Sequence, residues 1–128
     1  MTSTDPRRAL GAAGERLAAA HLEARGLTLL ARNYRTRQGE LDLVAADDRY
    51  LVFCEVKTCL ARGATAAVDP LVWVGPRKRR RLRLMARDWL AARSDSGPRP
   101  PEMRFDAIGV TLDRAGSLVS LEHVEGAF

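Results

Sequence analysis

The chain has few cysteines, no long apolar run and no signal-like start, and each of these shortages excludes a class of protein. Its two cysteines, Cys54 and Cys59, lack the additional Cys/His pair of a zinc site, so we expect a small core residue and a free thiol, respectively. No apolar run approaches the roughly 20 residues of a membrane helix, and residues 1–8 lack the apolar region of a signal peptide. We therefore expect no membrane association and a cytoplasmic location.

The chain does have an excess of basic over acidic residues and enough apolar residues for one core. Its 128 residues, 46% of them hydrophobic, predict a single domain over residues 1–128. A chain of this length buries roughly two thirds of its unfolded surface on folding. The net charge of +5 permits binding to nucleic acid without identifying it.

The stretch most informative about function is residues 39–57, which predicts a β-hairpin. Two apolar runs, residues 41–45 and 50–57, flank a short polar segment whose acidic pair suits a tight turn. Charged residues stand inside these otherwise apolar strands. They are Asp42 in the first strand and Glu55 and Lys57 in the second.

The alternation of side chains along a strand brings these charges together. Glu55 and Lys57 share a face because they are two residues apart. A two-residue turn at residues 47–48 places Asp42 opposite Phe53, on the same face as Glu55 and Lys57, with Glu40 beside them. A register shift of two residues preserves this arrangement and a shift of one reverses it. Since both faces are otherwise apolar, we expect the hairpin to lie between other layers. Ionised groups there cost several kcal/mol unless they pair or bind a metal.

Two carboxylates beside a lysine have two interpretations. Asp42 and Glu55 offer the oxygen ligands that Mg²⁺ and Mn²⁺ prefer, and Lys57 would stabilise negative charge on a reacting phosphoryl group. Alternatively, Lys57 forms a structural ion pair with either carboxylate at the strand end. The spacing alone does not decide between the two, because short motifs often match by chance.

The order of motifs along the chain resembles a known family. The pattern of a carboxylate, a spacer and Glu-x-Lys resembles the PD-(D/E)xK nuclease superfamily, which includes restriction endonucleases and Holliday junction resolvases. More closely, the chain resembles the YraN-type family of small uncharacterised bacterial proteins. It departs from that family at Cys59, where arginine is more usual, and it matches only loosely over residues 61–74. The matching stretches are residues 14–15, 31–35, 39–43, 53–58, 78–82, 104–106 and 127–128.

The resemblance implies a fold and an activity. The fold is a restriction-endonuclease-like three-layer α/β core, in the order α-β-β-β-α-β-β, with a mixed sheet flanked by helices. The activity is that of a Mg²⁺- or Mn²⁺-dependent endonuclease acting on DNA. Asp42 and Glu55 would hold the metal, Lys57 would aid the attacking water or the charged transition state, and Glu15 would complete the site. Since junction resolvases act as dimers, the resemblance also allows a homodimer.

Two other functions stay open from the sequence. One is a nucleic-acid-binding module that keeps the nuclease fold without cleavage. The other is an interaction subunit whose basic surface meets an acidic partner protein.

The first helix is predicted to begin at Pro6, with Asp5 as its N-cap. The helical wheel alone predicts that Glu15 is a solvated surface acid, and only the resemblance assigns it to the site. His21 lies within the apolar stripe and is expected to pack. The stripe consists of Leu10, Ala13, Leu17, Ala20 and Ala24.

Two basic stretches are candidates for contact with nucleic acid, although each also fits a solvated basic surface. After a first strand over residues 27–31, we expect a basic loop at residues 32–39 that carries one tyrosine. A second helix, from Pro76 to about residue 93, opens with cations that oppose the helix dipole, and a bound phosphate would relieve that conflict. The candidate contacts are Arg32, Tyr34, Arg35, Arg37, Arg77, Lys78, Arg79, Arg80 and Arg83.

The end of the chain predicts two further strands, at residues 104–112 and 117–124. The second helix, lying before them, permits a crossover and a parallel strand pair. Asp106 either supports the site without touching the metal or, as we expect, makes a strand-end hydrogen bond, and His123 is expected to be structural or exposed.

Overall fold

A computed structural model describes residues 6–61, 75–93 and 100–127 of the chain. Its elements follow the predicted order α-β-β-β-α-β-β. The N-cap predicted at Asp5 lies outside the described residues. The elements are α1 (Pro6–Ala24), β1 (Thr28–Thr36), β2 (Gly39–Ala46), β3 (Tyr50–Leu60), α2 (Pro76–Ala92), β4 (Glu102–Leu112) and β5 (Leu118–Val124).

The five strands form one mixed sheet in the order β1-β2-β3-β4-β5. Neighbouring strands are antiparallel except for β3 and β4, which run parallel. A parallel pair needs a crossover connection, and α2 lies in the connection between these two strands. The predicted parallel pair and mixed sheet are therefore confirmed.

The sheet is buried on both faces, as its apolar strands predicted. On one face, Leu22 of α1 packs in a cluster with Leu43 and Ile108. On the other face, α2 contributes Trp89, whose ring lies edge-on to Phe53 with centroids 5.8 Å apart. The two helices thus sandwich the sheet, which gives the expected three-layer core.

The basic loop predicted at residues 32–39 is wrong, because most of this segment is strand. β1 continues to Thr36 and pairs with β2, so that Arg32, Tyr34 and Arg35 stand on an edge strand. The turn that follows is closed by the Thr36 hydroxyl, which donates to the Gly39 carbonyl at 3.0 Å. This polar segment forms a strand because β2 supplies hydrogen-bond partners for its backbone. The pattern of apolar residues, from which the strand was predicted, does not report backbone pairing.

The hairpin of β2 and β3 is confirmed, but its register differs from the prediction by two residues. Phe53 pairs with Val44 rather than with Asp42. The turn is longer than two residues because the Asp47 carboxylate accepts backbone hydrogen bonds within it, including one from Tyr50 at 2.6 Å. In the observed register, Asp42 and Glu55 are the next two residues beyond the last paired residues of the hairpin. They lie opposite each other.

The buried face of α1 is rotated from the predicted stripe. The fully buried positions are Gly14, Ala18, Ala19 and Leu22, whereas Ala20 and Ala24 are exposed. Gly14 decides this orientation, because a Cβ added there would overlap the side chain of Thr58 on β3. The small residues allow the helix backbone to lie directly on the sheet. Larger apolar residues, on which the predicted stripe depended, are only partly buried.

We expect Gly14→Ala to destabilise the fold by about 1 to 3 kcal/mol, since overpacking costs more than the gain in helix propensity. The matched control is Gly11→Ala on the same helix, where an added Cβ meets nothing within 4 Å. That change should stabilise the protein by up to about 1 kcal/mol. Urea denaturation of both variants measures the difference. A Gly14→Ala protein as stable as Gly11→Ala would contradict the close contact with Thr58.

Candidate metal centre

Asp42 lies at the point where β2 separates from β3. The described pairing between the two strands ends at Leu43 and Cys54, so it stops one residue short of Asp42. The Asp42 carboxylate accepts a hydrogen bond of 2.8 Å from the backbone N–H of Val56. A side-chain oxygen thus takes the place of a strand carbonyl and fixes the carboxylate between the two strands.

The alternation of β2 breaks at the same point. Regular alternation would place Leu41 on the face of Leu43, but Leu41 packs in the α2 cluster while Leu43 packs in the α1 cluster. The separation of the strands explains the change, since residues before Leu43 are no longer held in register by β3.

Carboxylates from two elements gather at this break. One oxygen each from Glu15, Glu40 and Asp42 lies within 4.8 Å of the other two, and all three residues are half-buried. Glu55 on β3 adds a fourth carboxyl, which hydrogen-bonds with Asp42. The solvated position that the helical wheel predicted for Glu15 is wrong, because Glu15 borders the buried face of α1 beside Ala18.

Burial and like charge raise the pKa of two acids in this cluster. Burial, followed by the negative charge of Glu55, raises the pKa of Asp42 to about 8, against the opposing hydrogen bond from Val56. Burial, followed by the charge of Glu40, also raises the pKa of Glu15, although a hydrogen bond from Asn33 opposes this shift. A divalent cation would relieve the repulsion, and carboxylate oxygens are the ligands of Mg²⁺ and Mn²⁺. The residues present therefore fit such an ion.

The lysine in contact with Glu55 is Lys78 of α2. Its Nζ lies 2.7 Å from Glu55 Oε1. Lys57 is exposed two residues beyond Glu55. The structural interpretation of Lys57 required an ion pair with Asp42 or with Glu55. Neither pair is formed within the described part of the chain.

The comparisons with known proteins identify the family. The model of an uncharacterised protein family, UPF0102, matches residues 14–110. The chain belongs to UPF0102. This is the YraN-type family that the motifs indicated. The UPF0102 protein of Acidothermus cellulolyticus is 44% identical over 129 residues, covering 95% of each chain.

Other relatives match over similar lengths. The UPF0102 protein of a Parafrankia species is 48% identical over 120 residues, covering 93% of this chain and 95% of its own. That of Streptomyces griseus is 45% identical over 120 residues, covering 94% and 96%. The similarity therefore spans nearly the whole UPF0102 chain.

Two residues of this UPF0102 site were given no role in it from the sequence. Strand alternation placed Glu40 beside Asp42, but the nuclease motif assigned it no ligand role. Lys78 was predicted only as a nucleic-acid contact, and its position against Glu55 depends on how α2 packs across the sheet. No local pattern in the sequence reports that packing.

Basic residues border the cluster on both sides of the sheet. On the α1 side, Arg35 Nε lies 3.5 Å from Glu40 Oε2, and Arg32 is exposed nearby on the same strand. On the α2 side, a cavity of about 190 Å³ is lined by Glu55, Lys78 and Arg81, among others. The remaining α2 candidates are exposed: Arg77, Arg79, Arg80 and Arg83.

Two candidates of β1 and its turn occupy different positions. Arg37 is exposed in the turn after β1. Tyr34 is half-buried against the α2 cluster. Its contact with a nucleic-acid base stays a prediction.

Asp106 anchors a second polar network, under the C-terminal end of α1. It is fully buried and accepts two hydrogen bonds from Arg104, at 2.8 and 2.9 Å, and one from the Gly126 backbone at 3.1 Å. His123 Nε2 lies 2.8 Å from its carboxylate, and His123 Nδ1 lies 3.0 Å from Nε2 of His21. The structural roles predicted for His21 and His123 are confirmed, whereas the hydrogen bonds of Asp106 are made from within β4 rather than at its end.

Neither cysteine forms a disulfide, and Cys54 is buried. None of the helices in residues 6–61, 75–93 and 100–127 is long and apolar enough to cross a membrane.

The raised pKa of Asp42 predicts how stability changes with pH. In the folded chain the carboxyl keeps its proton up to about pH 8, while the ordinary value is 3.8. The folded state therefore holds a proton that the unfolded state has lost, and metal-free stability falls as pH rises through this window. Asp42→Asn removes the titration and keeps an oxygen for the Val56 N–H. We expect it to be more stable than wild type at pH 8.5 by at least about 1 kcal/mol.

Thermal unfolding in EDTA at pH 5 and pH 8.5 measures this effect. The advantage of Asp42→Asn should grow between the two pH values. Asp48→Asn, which removes a carboxylate from the exposed turn, controls for net charge. An equal advantage of Asp42→Asn at both pH values would show that the Asp42 proton does not set the stability.

Proposed function

We propose that this protein is a metal-dependent nuclease that hydrolyses phosphodiester bonds in DNA, similar to Holliday junction resolvases. The observation that carries the proposal is the gathering of Glu15, Glu40 and Asp42 within 4.8 Å, beside Glu55. Carboxyl groups gathered this closely repel one another when ionised, which is costly in a folded protein even with Arg35 and Lys78 close by. Their retention is explained if a divalent cation completes the site.

The residues take distinct roles in this proposal. Asp42 and Glu55 would hold Mg²⁺ or Mn²⁺, which when bound supplies a water of lowered pKa and polarises a phosphoryl oxygen. Glu15, held by its hydrogen bond with Asn33, is positioned to orient that water or hold its proton. Lys57, which is exposed two residues beyond Glu55 on β3, would stabilise negative charge developing on the phosphate.

The basic surfaces support nucleic acid as the substrate. The first turn of α2 contains no acidic residue, and its N-cap, Gly75, makes no side-chain capping bond. Backbone N–H groups at such a helix start favour anions. With Arg32 and Arg35 on the opposite side of the acidic cluster, cations flank the proposed metal on both sides. A phosphate backbone crossing the cluster would meet both groups.

Cleavage assays with single-stranded, duplex and branched DNA test the activity directly. We expect cutting in Mg²⁺ or Mn²⁺ and none in EDTA. Asp42→Asn and Glu55→Gln should lose Mn²⁺ binding, measured by calorimetry, because each removes a charged ligand. Lys57→Ala should retain the metal and lose turnover by about 100-fold or more. Glu15→Gln should reduce turnover.

The outcomes separate the alternatives. DNA binding without metal-dependent cutting would favour a non-catalytic module, and neither binding nor cutting would favour an interaction subunit with an acidic partner. An Asp42→Asn protein that binds Mn²⁺ as tightly as wild type would show that the ligand assignment is wrong.

The exposed arginines of α2 can be tested through the salt dependence of binding. The guanidinium of Arg83 lies 5.8 Å from the centre of the Phe105 ring, so its replacement would also disturb the packing there. The variant with Arg77, Arg79 and Arg80 all changed to Gln avoids this complication. We expect weaker DNA binding for every sequence, because phosphates carry no base identity. The slope of log K against log salt should flatten by roughly 0.9 for each duplex phosphate that the variant no longer neutralises.

Glutamine keeps a long helix-forming side chain, so thermal stability should stay close to that of wild type. An unchanged slope in this triple variant, with circular dichroism confirming the fold, would remove α2 from the DNA-binding surface. It would leave the arginines of β1 and its turn as the candidate contacts.

A further inference from the structure

Lys78 and the proposed metal require the same carboxylate. Glu55 is buried, with 12% of its side chain exposed, and its Oε1 accepts a bond of 2.7 Å from the Lys78 ammonium. Lys78 itself is 31% exposed along its side chain. A charged pair this sheltered from water is stronger than a surface pair, because solvent screens it less.

We propose that Lys78 is a built-in competitor for the metal, a positioning residue whose ammonium holds Glu55 until a divalent cation replaces it. The inference rests on the proposed function, since it concerns how the same site is loaded. Two cations within a few ångströms of one carboxylate repel each other strongly where water is scarce. The ammonium on Glu55 Oε1 therefore weakens metal binding at this carboxylate, and a bound metal favours its moving away.

The surroundings of Lys78 allow this movement. Its four-carbon stem is flexible, and the ammonium has three donors that can change partners. It lines the cavity of about 190 Å³ together with Gln38. The Gln38 side-chain oxygen is buried and has no hydrogen-bond partner among the described residues, so it offers an acceptor for a displaced ammonium. The pair with Glu55 is thus replaceable within the same cavity.

Calorimetric titration of the metal-free protein with Mn²⁺, without DNA, tests the inference. We expect Lys78→Gln to bind Mn²⁺ roughly five- to tenfold more tightly than wild type, because the metal no longer displaces a charge-assisted hydrogen bond. Lys78→Arg keeps a competing cation and should remain close to wild type. A merely structural role for Lys78 predicts unchanged or weaker metal binding.

Arg81→Gln is the matched control. Arg81 lies on the same helix, lines the same cavity and is exposed, so its replacement removes one positive charge while the Glu55 pair remains. We expect its Mn²⁺ affinity to change by less than about twofold, since an exposed charge is well screened.

The results distinguish this inference from the proposed function. A Lys78→Gln protein that binds Mn²⁺ no more tightly than Arg81→Gln would overturn the competition while leaving the metal site intact. A wild-type protein that binds no Mn²⁺ would overturn both, unless Lys78→Gln binds it, in which case the competition is supported in its strongest form.

Discussion

The hydrogen bond between the Asp42 carboxylate and the Val56 N–H is the contact on which the site depends. A buried backbone N–H must find a partner, and here the partner is a side chain because β2 has already left β3. The bond therefore fixes Asp42 where the strands part. It places the carboxylate beside Glu15 and Glu40, which approach from α1 and from the start of β2. An apolar residue at position 42 would remove the acid and also leave a buried donor unpaired.

The metal-free protein neutralises its acids with the cations that it has. The pKa of Asp42 is raised well above that of an ordinary carboxyl, so this group keeps its proton to a higher pH. The ammonium of Lys78 on α2 lies against Glu55. Both can be replaced by a divalent ion, which would release the proton and free the ammonium. The repulsion between the clustered carboxylates is thus reduced by a proton and an ammonium in the metal-free protein. In the proposed function, a divalent ion reduces it instead.

The parts of this arrangement that could be predicted from sequence follow strand periodicity. The pattern of residues 39–57 located the hairpin and brought Asp42 near Glu55, because a register error of two residues leaves alternate side chains on their faces. The helical wheel failed for Glu15, since Gly14 and Ala18 lie on the buried face of α1 and such small residues add little to an apolar stripe. The contact of Lys78 with Glu55 arises from packing across the sheet, and spacing along the chain does not encode it.

The arginines of β1 also bear on whether two copies of this chain can pair through that strand. β1 is an edge strand, and its outer backbone groups would be open to pairing with the edge of another copy. Its irregular register near Leu29, the left-handed backbone of Asn33 and the charges of Arg32 and Arg35 all disfavour such pairing. Replacing these two arginines with apolar residues would leave an uncharged edge, so a low DNA affinity measured with such a protein would not by itself separate the absence of a contact from aggregation.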